Sequence, residues 1–280
     1  MRLTGARIAG IDEFENGILV LNRKTLLGSR GERIITPIDT TIFTYVIQHG
    51  EWETYEARFL ADVLSRCKDN HEVGSQIYFL DIGANAGLIT RQVLNLARFE
   101  LNALLIEPIP NYVKAIEANM KKFENFHNVH ILESGLDKFT GEKKIRIQVS
   151  NKGNASFLAS PIPKSESSEK FVKVLAVKEF SQKYLKDCDG IVIKSDTQGF
   201  DATVLSLLPN RIWNRCSGMV VEIWALPEID SEEVAKLMQQ WQRFSFLGWD
   251  DEGKNRTNLE DIRNFWLSKS GKSRNLFGKI

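Results

Sequence analysis

The sequence predicts an α/β protein built on a doubly wound, mostly parallel sheet. Three observations carry that expectation. Short apolar runs alternate with amphipathic stretches at helical spacing from residue 55 onward. One run, residues 77–80, passes through Asp81 into a Gly-rich turn, Gly83-Ala84-Asn85-Ala86-Gly87, where a helical pattern starts at once. Four runs end in an acid (Asp81, Glu107, Asp196, Glu222), and ligands of open α/β sheets bind at the carboxyl ends of the strands.

In chain order, residues 1–38 mix glycine, charge and short β-branched runs, which predicts short strands or hairpins. A helix follows from residue 40, its pattern carried by Ile42, Tyr45 and Val46, then a turn at 49–53. A second helix over 55–67 buries Phe59, Leu60, Val63 and Leu64. The strand at 77–81, helix at 88–97, strand at 103–107, helix at 112–122 and strand at 129–132 repeat one rhythm, with Pro108 and Pro110 opening a helix. Between 137 and 177 the rhythm changes: residues 144–149 and 171–174 read as an antiparallel ribbon joined by a polar loop, 150–170. A strand at 190–196, a helix at 199–208 and a strand at 218–224 restore it. Ser231 is expected to cap a helix to about residue 243, ahead of a strand at 244–247, a helix at 258–267 and a polar, basic tail. No internal repeat is visible. The division expected is an extension, residues 1–75, and one main domain, residues 76–280.

Composition narrows the partners. Thirty-seven Lys and Arg against 36 Asp and Glu give a net charge of +1, with no global field to attract nucleic acid or an anionic membrane. Residues 1–10 lack the apolar core of a secretory signal, and no stretch approaches the roughly 20 apolar residues of a membrane span. Cys67, Cys188 and Cys216 have neither metal nor disulfide spacing. The expectation is a cytoplasmic protein with no membrane span and no nucleic-acid partner.

The turn at 83–87 sits where a nucleotide binds, yet a dinucleotide fingerprint needs glycines where Asn85 and Leu88 stand. Asp81 would repel a pyrophosphate. An acid beside a Gly turn suits a ligand whose tail bears an ammonium and a sulfonium, which describes S-adenosylmethionine. Glu107 is placed to accept hydrogen bonds from two ribose hydroxyls, or to cap the turn ahead of Pro108. Asp196 is the candidate base for methyl transfer to a hydroxyl, with two alternatives: a divalent-cation ligand together with Glu222, or an N-cap. Lys194 on a buried strand requires an acidic partner. His49 is a second candidate base. His127 and His130 read as surface residues.

Five stretches together resemble the FkbM family of S-adenosylmethionine-dependent methyltransferases: His49-Gly50-Glu51-Trp52-Glu53, the 81–87 turn, Ile106-Glu107-Pro108-Ile109-Pro110-Asn111, Gly153-Asn154-Ala155-Ser156, and Ile193-Lys194-Ser195-Asp196-Thr197-Gln198-Gly199-Phe200-Asp201. The last is the most specific. The resemblance implies a class I, Rossmann-like methyltransferase with a seven-stranded sheet and methylation of an oxygen on a sugar, glycan precursor or natural product, leaving S-adenosylhomocysteine. It places Asp81, Gly83 and Asn85 at the donor's amino-acid end, Glu107 at its ribose, and Lys194 and Asp196 near the acceptor. Ala84, Gly87, Pro108 and Asp137 complete the candidate donor set. Ser156, Gln198 and Glu222 are the candidate substrate or metal set. Two positions depart from the family: Ser195 replaces an aliphatic residue, and Gln198 replaces a commoner Glu, which weakens a metal-dependent mechanism. The competing expectations are a non-catalytic S-adenosylmethionine-binding protein of the same fold and a nicotinamide-dependent oxidoreductase.

Overall fold

The chain runs outward along one half of a sheet, returns to the middle, and builds the other half; the site lies where the direction reverses. A computed structural model describes residues 5–159, 162–249 and 255–280. Ser160 and Pro161, counted above in the polar loop, and residues 1–4 of the leader lie outside the described residues.

The leader forms an antiparallel three-stranded sheet, β1 (Ala6–Ile11), β2 (Asn16–Leu21) and β3 (Arg33–Pro37), followed by α1 (Ile42–His49) and α2 (Thr54–Asp69). The outward half is β4 (Ile77–Ile82), α3 (Leu88–Leu96), β5 (Asn102–Glu107), α4 (Pro110–Met120) and β6 (Asn128–Glu133). A small sheet then intervenes: β7 (Gly135–Asp137), β8 (Gly141–Gln148), β9 (Ala155–Ser156) and β10 (Ser167–Ala176). Its β8–β10 pair is the antiparallel ribbon the alternation predicts. The return half comprises α5 (Val177–Tyr184), β11 (Gly190–Ser195), α6 (Asp201–Ser206), α7 (Asn210–Trp213), β12 (Cys216–Trp224) and α8 (Ser231–Trp241). It closes with β13 (Phe246–Trp249), β14 (Asn255–Arg256), α9 (Leu259–Trp266) and β15 (Ser273–Lys279).

The main sheet has the order β6-β5-β4-β11-β12-β15-β13-β14. The pairs from β6 to β12 are parallel, and β15 runs antiparallel to both β12 and β13. This is a doubly wound mixed sheet of the class I, Rossmann-like kind, with the two-residue β14 added at the edge of the seven strands expected. The order reverses between β4 and β11, the topological switch point where α/β sheets hold ligands.

Pleating decides which side chains share a face. Phe79, Val192, Val220 and Phe277 point toward Leu60 and Val63 of α2 and Val93 of α3, while Leu80, Ile193, Val221 and Ile223 pack against the opposite helices. Each such buried side chain contributes about 1.5–3 kcal/mol. Continuing the first alternation by two residues puts Asp81, Lys194 and Glu222 on the α2 face.

Three expectations are corrected, and two helices are added. The polar tail contains β15, an interior strand, because Leu276 and Phe277 are fully buried between β12 and β13. Asp230, not Ser231, caps α8, its carboxylate accepting from Glu232 N at 2.8 Å. His127 is buried against the edge of Phe126 rather than on the surface. Helices α5 and α7 occupy stretches to which the sequence assigns no element.

Candidate active site

The turn after β4 is made from backbone. Gly83 N and Ala84 N both donate to Ile106 O, at 2.9 and 3.0 Å, and Gly87 N donates to Ala84 O at 2.7 Å. Gly83 has φ 75°, and a Cβ there would lie 1.9 Å from Asp196 O. Only glycine lets the turn after β4 and the turn after β11 approach so closely. Asn85 also occupies the left-handed region, φ 52°, with its Oδ1 accepting from Ala86 N at 2.7 Å.

Glu107, at the end of β5, is 5% exposed and spans two loops: Oε2 accepts from Asn85 N and Oε1 from Ile109 N, each at 2.9 Å. Burial pushes its carboxyl up to about 8, against the lowering effect of those two bonds. The turn, Glu107 and Pro108 line a cavity of about 330 Å³, within the 300–1,000 Å³ range typical of small-molecule sites. Leu136, Ile145 and Phe157 give it an apolar end beside Tyr112, whose hydroxyl donates to Lys152 O at 2.7 Å.

The ends of β11 and β12, beside that turn, carry the charge. Lys194 Nζ donates to Gly83 O at 2.9 Å, with Asp81 Oδ1 at 3.3 Å and Asp196 Oδ2 at 3.9 Å. Burial alone would lower the Lys194 pKa, but Asp81, then Asp196, Glu53 and Glu56, raise it overall, so this lysine stays protonated. Gln198 Nε2 donates to Asp196 Oδ1 at 2.7 Å and to Glu222 Oε2 at 2.8 Å, and Trp224 Nε1 reaches the same Glu222 oxygen at 2.7 Å. Burial, then the Asp196 charge, raises the Glu222 carboxyl well above the usual range.

Lys194, Asp196, Gln198, Glu222, Gly83, Ala84, Asn85, Glu107 and Pro108 therefore share one cavity. Five other candidates do not line it. Asp81 lies behind the wall, 1% exposed, bonded by Thr90 Oγ1 at 2.6 Å and paired with Lys194, its neighbour in register. Gly87 heads α3, packed toward Leu105, Ile116 and Met120. Asp137 is buried in an ion pair with Lys143 at 2.6 Å. Ser156 Oγ donates to Gln198 O at 2.7 Å, which makes it a support for that loop. His49 is exposed at the end of α1, its ring 4.2 Å from that of Tyr45.

Residue-by-residue reading missed Glu53. It opens α2 in the left-handed region, φ 42°, lines the cavity, and has its carboxyl raised to about 7 by burial and then by Asp196. The signal was present, since Glu53 ends the same motif from which His49 was chosen. Asp201, the N1 residue of α6, accepts from Ser195 Oγ at 2.5 Å and from Thr197 N at 3.2 Å. Neither it nor Asp196 caps α6, whose N-cap residue is Phe200 with no side-chain cap bond. Among the described residues, no group of three or more His, Cys, Asp or Glu side chains is arranged to hold a metal ion. No described helix is long and apolar enough to cross a membrane.

No family model and no curated protein matches the chain. Solved structures similar to it include precorrin-6y C5,15-methyltransferase from Geobacter metallireducens, at 12% identity over 79% of this chain and 86% of that one, TM-score 0.35. The methyltransferase FkbM from Methylobacillus flagellatus is 12% identical over 78% of this chain and 47% of that one, TM-score 0.41. A SAM-dependent O-methyltransferase from Thermotoga maritima is 11% identical over 100% and 94%, TM-score 0.40. At these identities and scores none of them assigns a family or a reaction. The fold rests on the strand order itself.

Proposed function

We propose that the chain is an S-adenosylmethionine-dependent O-methyltransferase of FkbM type, acting on a hydroxyl of a sugar, glycan precursor or natural-product small molecule. The observation that carries this reading is a cavity at the switch point lined by the backbone turn, by Glu107 and by Asp196 together. The residues fit the donor. Gly83 and Ala84 leave room for its amino-acid end, Glu107 faces its ribose, and Leu136, Ile145 and Phe157 suit its adenine. S-adenosylmethionine would supply a methyl group activated on a sulfonium.

The protein's part is to position and to take a proton. With the donor bound, its sulfonium would supply the methyl group to the acceptor oxygen, and Asp196 would take the hydroxyl proton. Holding the reactants in line is worth on the order of 7–11 kcal/mol in favourable cases, and a placed base adds about 10²–10⁴-fold. Lys194 keeps Asp196 oriented and cannot itself be the base, because it stays protonated. Residues 1–75 are assigned as an extension that roofs the cavity through Thr41, Ile42, Trp52 and Glu53.

The test is transfer of labelled methyl from S-adenosylmethionine to hydroxylated sugars and glycan precursors, with Asp196→Ala beside wild type. Turnover falling about 10²-fold or more in the variant supports the assignment. Full activity of Asp196→Ala on a true acceptor would remove Asp196 as base. Donor binding with no turnover on any acceptor would favour the non-catalytic binder.

A further inference from the structure

One side chain joins the two carboxylates on the acceptor side. The Gln198 amide nitrogen carries two N–H donors, and its contacts to Asp196 Oδ1 and Glu222 Oε2, at 2.7 and 2.8 Å, use both. Its position is over-determined. Gln198 has φ 53°, a conformation unfavourable for a residue with a Cβ, and the buried Ser156 hydroxyl holds its carbonyl at 2.7 Å. Trp224 fixes the Glu222 oxygen from another direction.

A divalent cation between two carboxylates needs converging ionised oxygens. Here the point of convergence is filled by a donor group.

We propose that Gln198 is a positioning residue standing where a divalent cation would otherwise bridge Asp196 and Glu222, which makes proton removal at this site metal-independent. The amide occupies Oδ1 of Asp196 and leaves Oδ2, 3.9 Å from Lys194 Nζ, to receive the acceptor proton. The role given to Asp196 rests on the methyltransferase reading, but the test needs no acceptor.

Wild type saturated with S-adenosylhomocysteine is titrated calorimetrically with Mn²⁺, beside Gln198→Glu and the double variant Gln198→Glu/Glu222→Gln. The expected result is no saturable site in wild type and one in Gln198→Glu, at least about ten-fold tighter than any wild-type binding and lost again in the double variant. A wild-type Mn²⁺ site that Asp196→Asn removes overturns the proposal. So does a Gln198→Glu protein that folds, binds S-adenosylhomocysteine and gains no Mn²⁺ site. If that variant does not fold, the wild-type arm decides: an Asp196-dependent site contradicts the proposal and its absence supports it. Failure of wild type to bind S-adenosylhomocysteine sinks the methyltransferase reading instead, and the Mn²⁺ comparison is then made on the unliganded protein.

Discussion

The two walls of the cavity are built by different physics. The part proposed to take the donor is ordered by main chain: amides of Gly83 and Ala84 share one carbonyl, and Glu107 is held by two amides. The part proposed to take the acceptor is a network of side chains in which Lys194, Asp196, Gln198, Glu222 and Trp224 hold one another. A backbone wall is fixed by sterics, so it fails when a Cβ is added. A side-chain wall is fixed by charge balance, so it fails when one partner is removed.

The largest expected effect is on the charged wall. Lys194→Met leaves Asp81 buried without its counter-ion and should cost about 3–5 kcal/mol in urea unfolding. A loss under about 1 kcal/mol would mean that the charge balance does not govern this wall. Gly83→Ala breaks the other side, since its Cβ would enter the Asp196 carbonyl at a positive φ. It should lose about 2–4 kcal/mol of stability and measurable S-adenosylhomocysteine binding.

Glu107 is a titrating group in the part proposed to take the donor. Held at about 8 by burial, it keeps its proton near neutrality in the unliganded protein. Ribose hydroxyls donate best to the ionised form, so donor binding should expel that proton. Affinity should therefore rise between pH 6 and about 8, by no more than about ten-fold per unit, and then level off. Calorimetry across this range should show the slope in wild type and none in Glu107→Gln. The smallest effect is expected from His49→Ala, outside both walls: stability and donor affinity should stay within about 0.5 kcal/mol of wild type.

The same contrast explains what the sequence disclosed. Strands β4, β5, β11 and β12 are buried on both faces and appear as continuous apolar runs, and the glycine turn marks its own geometry. Strand β15 escaped because Ser273, Arg274 and Asn275 open it, and only pairing with β12 and β13 explains its burial. Helix α5 was legible in Val177, Phe180 and Ser181, spaced along its buried face, but the preceding ribbon masked it. The direction of Asp81 depended on sheet register: Lys194 lies opposite it, and the pair closes on itself behind the cavity. Nothing local to Gln198 announces its bond to Glu222, 24 residues later. Long-range side-chain networks are written in topology rather than in motifs.

The switch-point cavity is proposed to be a methyl-donor site. Titration of S-adenosylhomocysteine into wild type, with NAD as the comparison ligand, tests it most directly. One saturable site for S-adenosylhomocysteine, abolished in Gly83→Ala, with no binding of NAD, is the predicted result. No heat with S-adenosylhomocysteine, or NAD binding that Gly83→Ala abolishes, would contradict it.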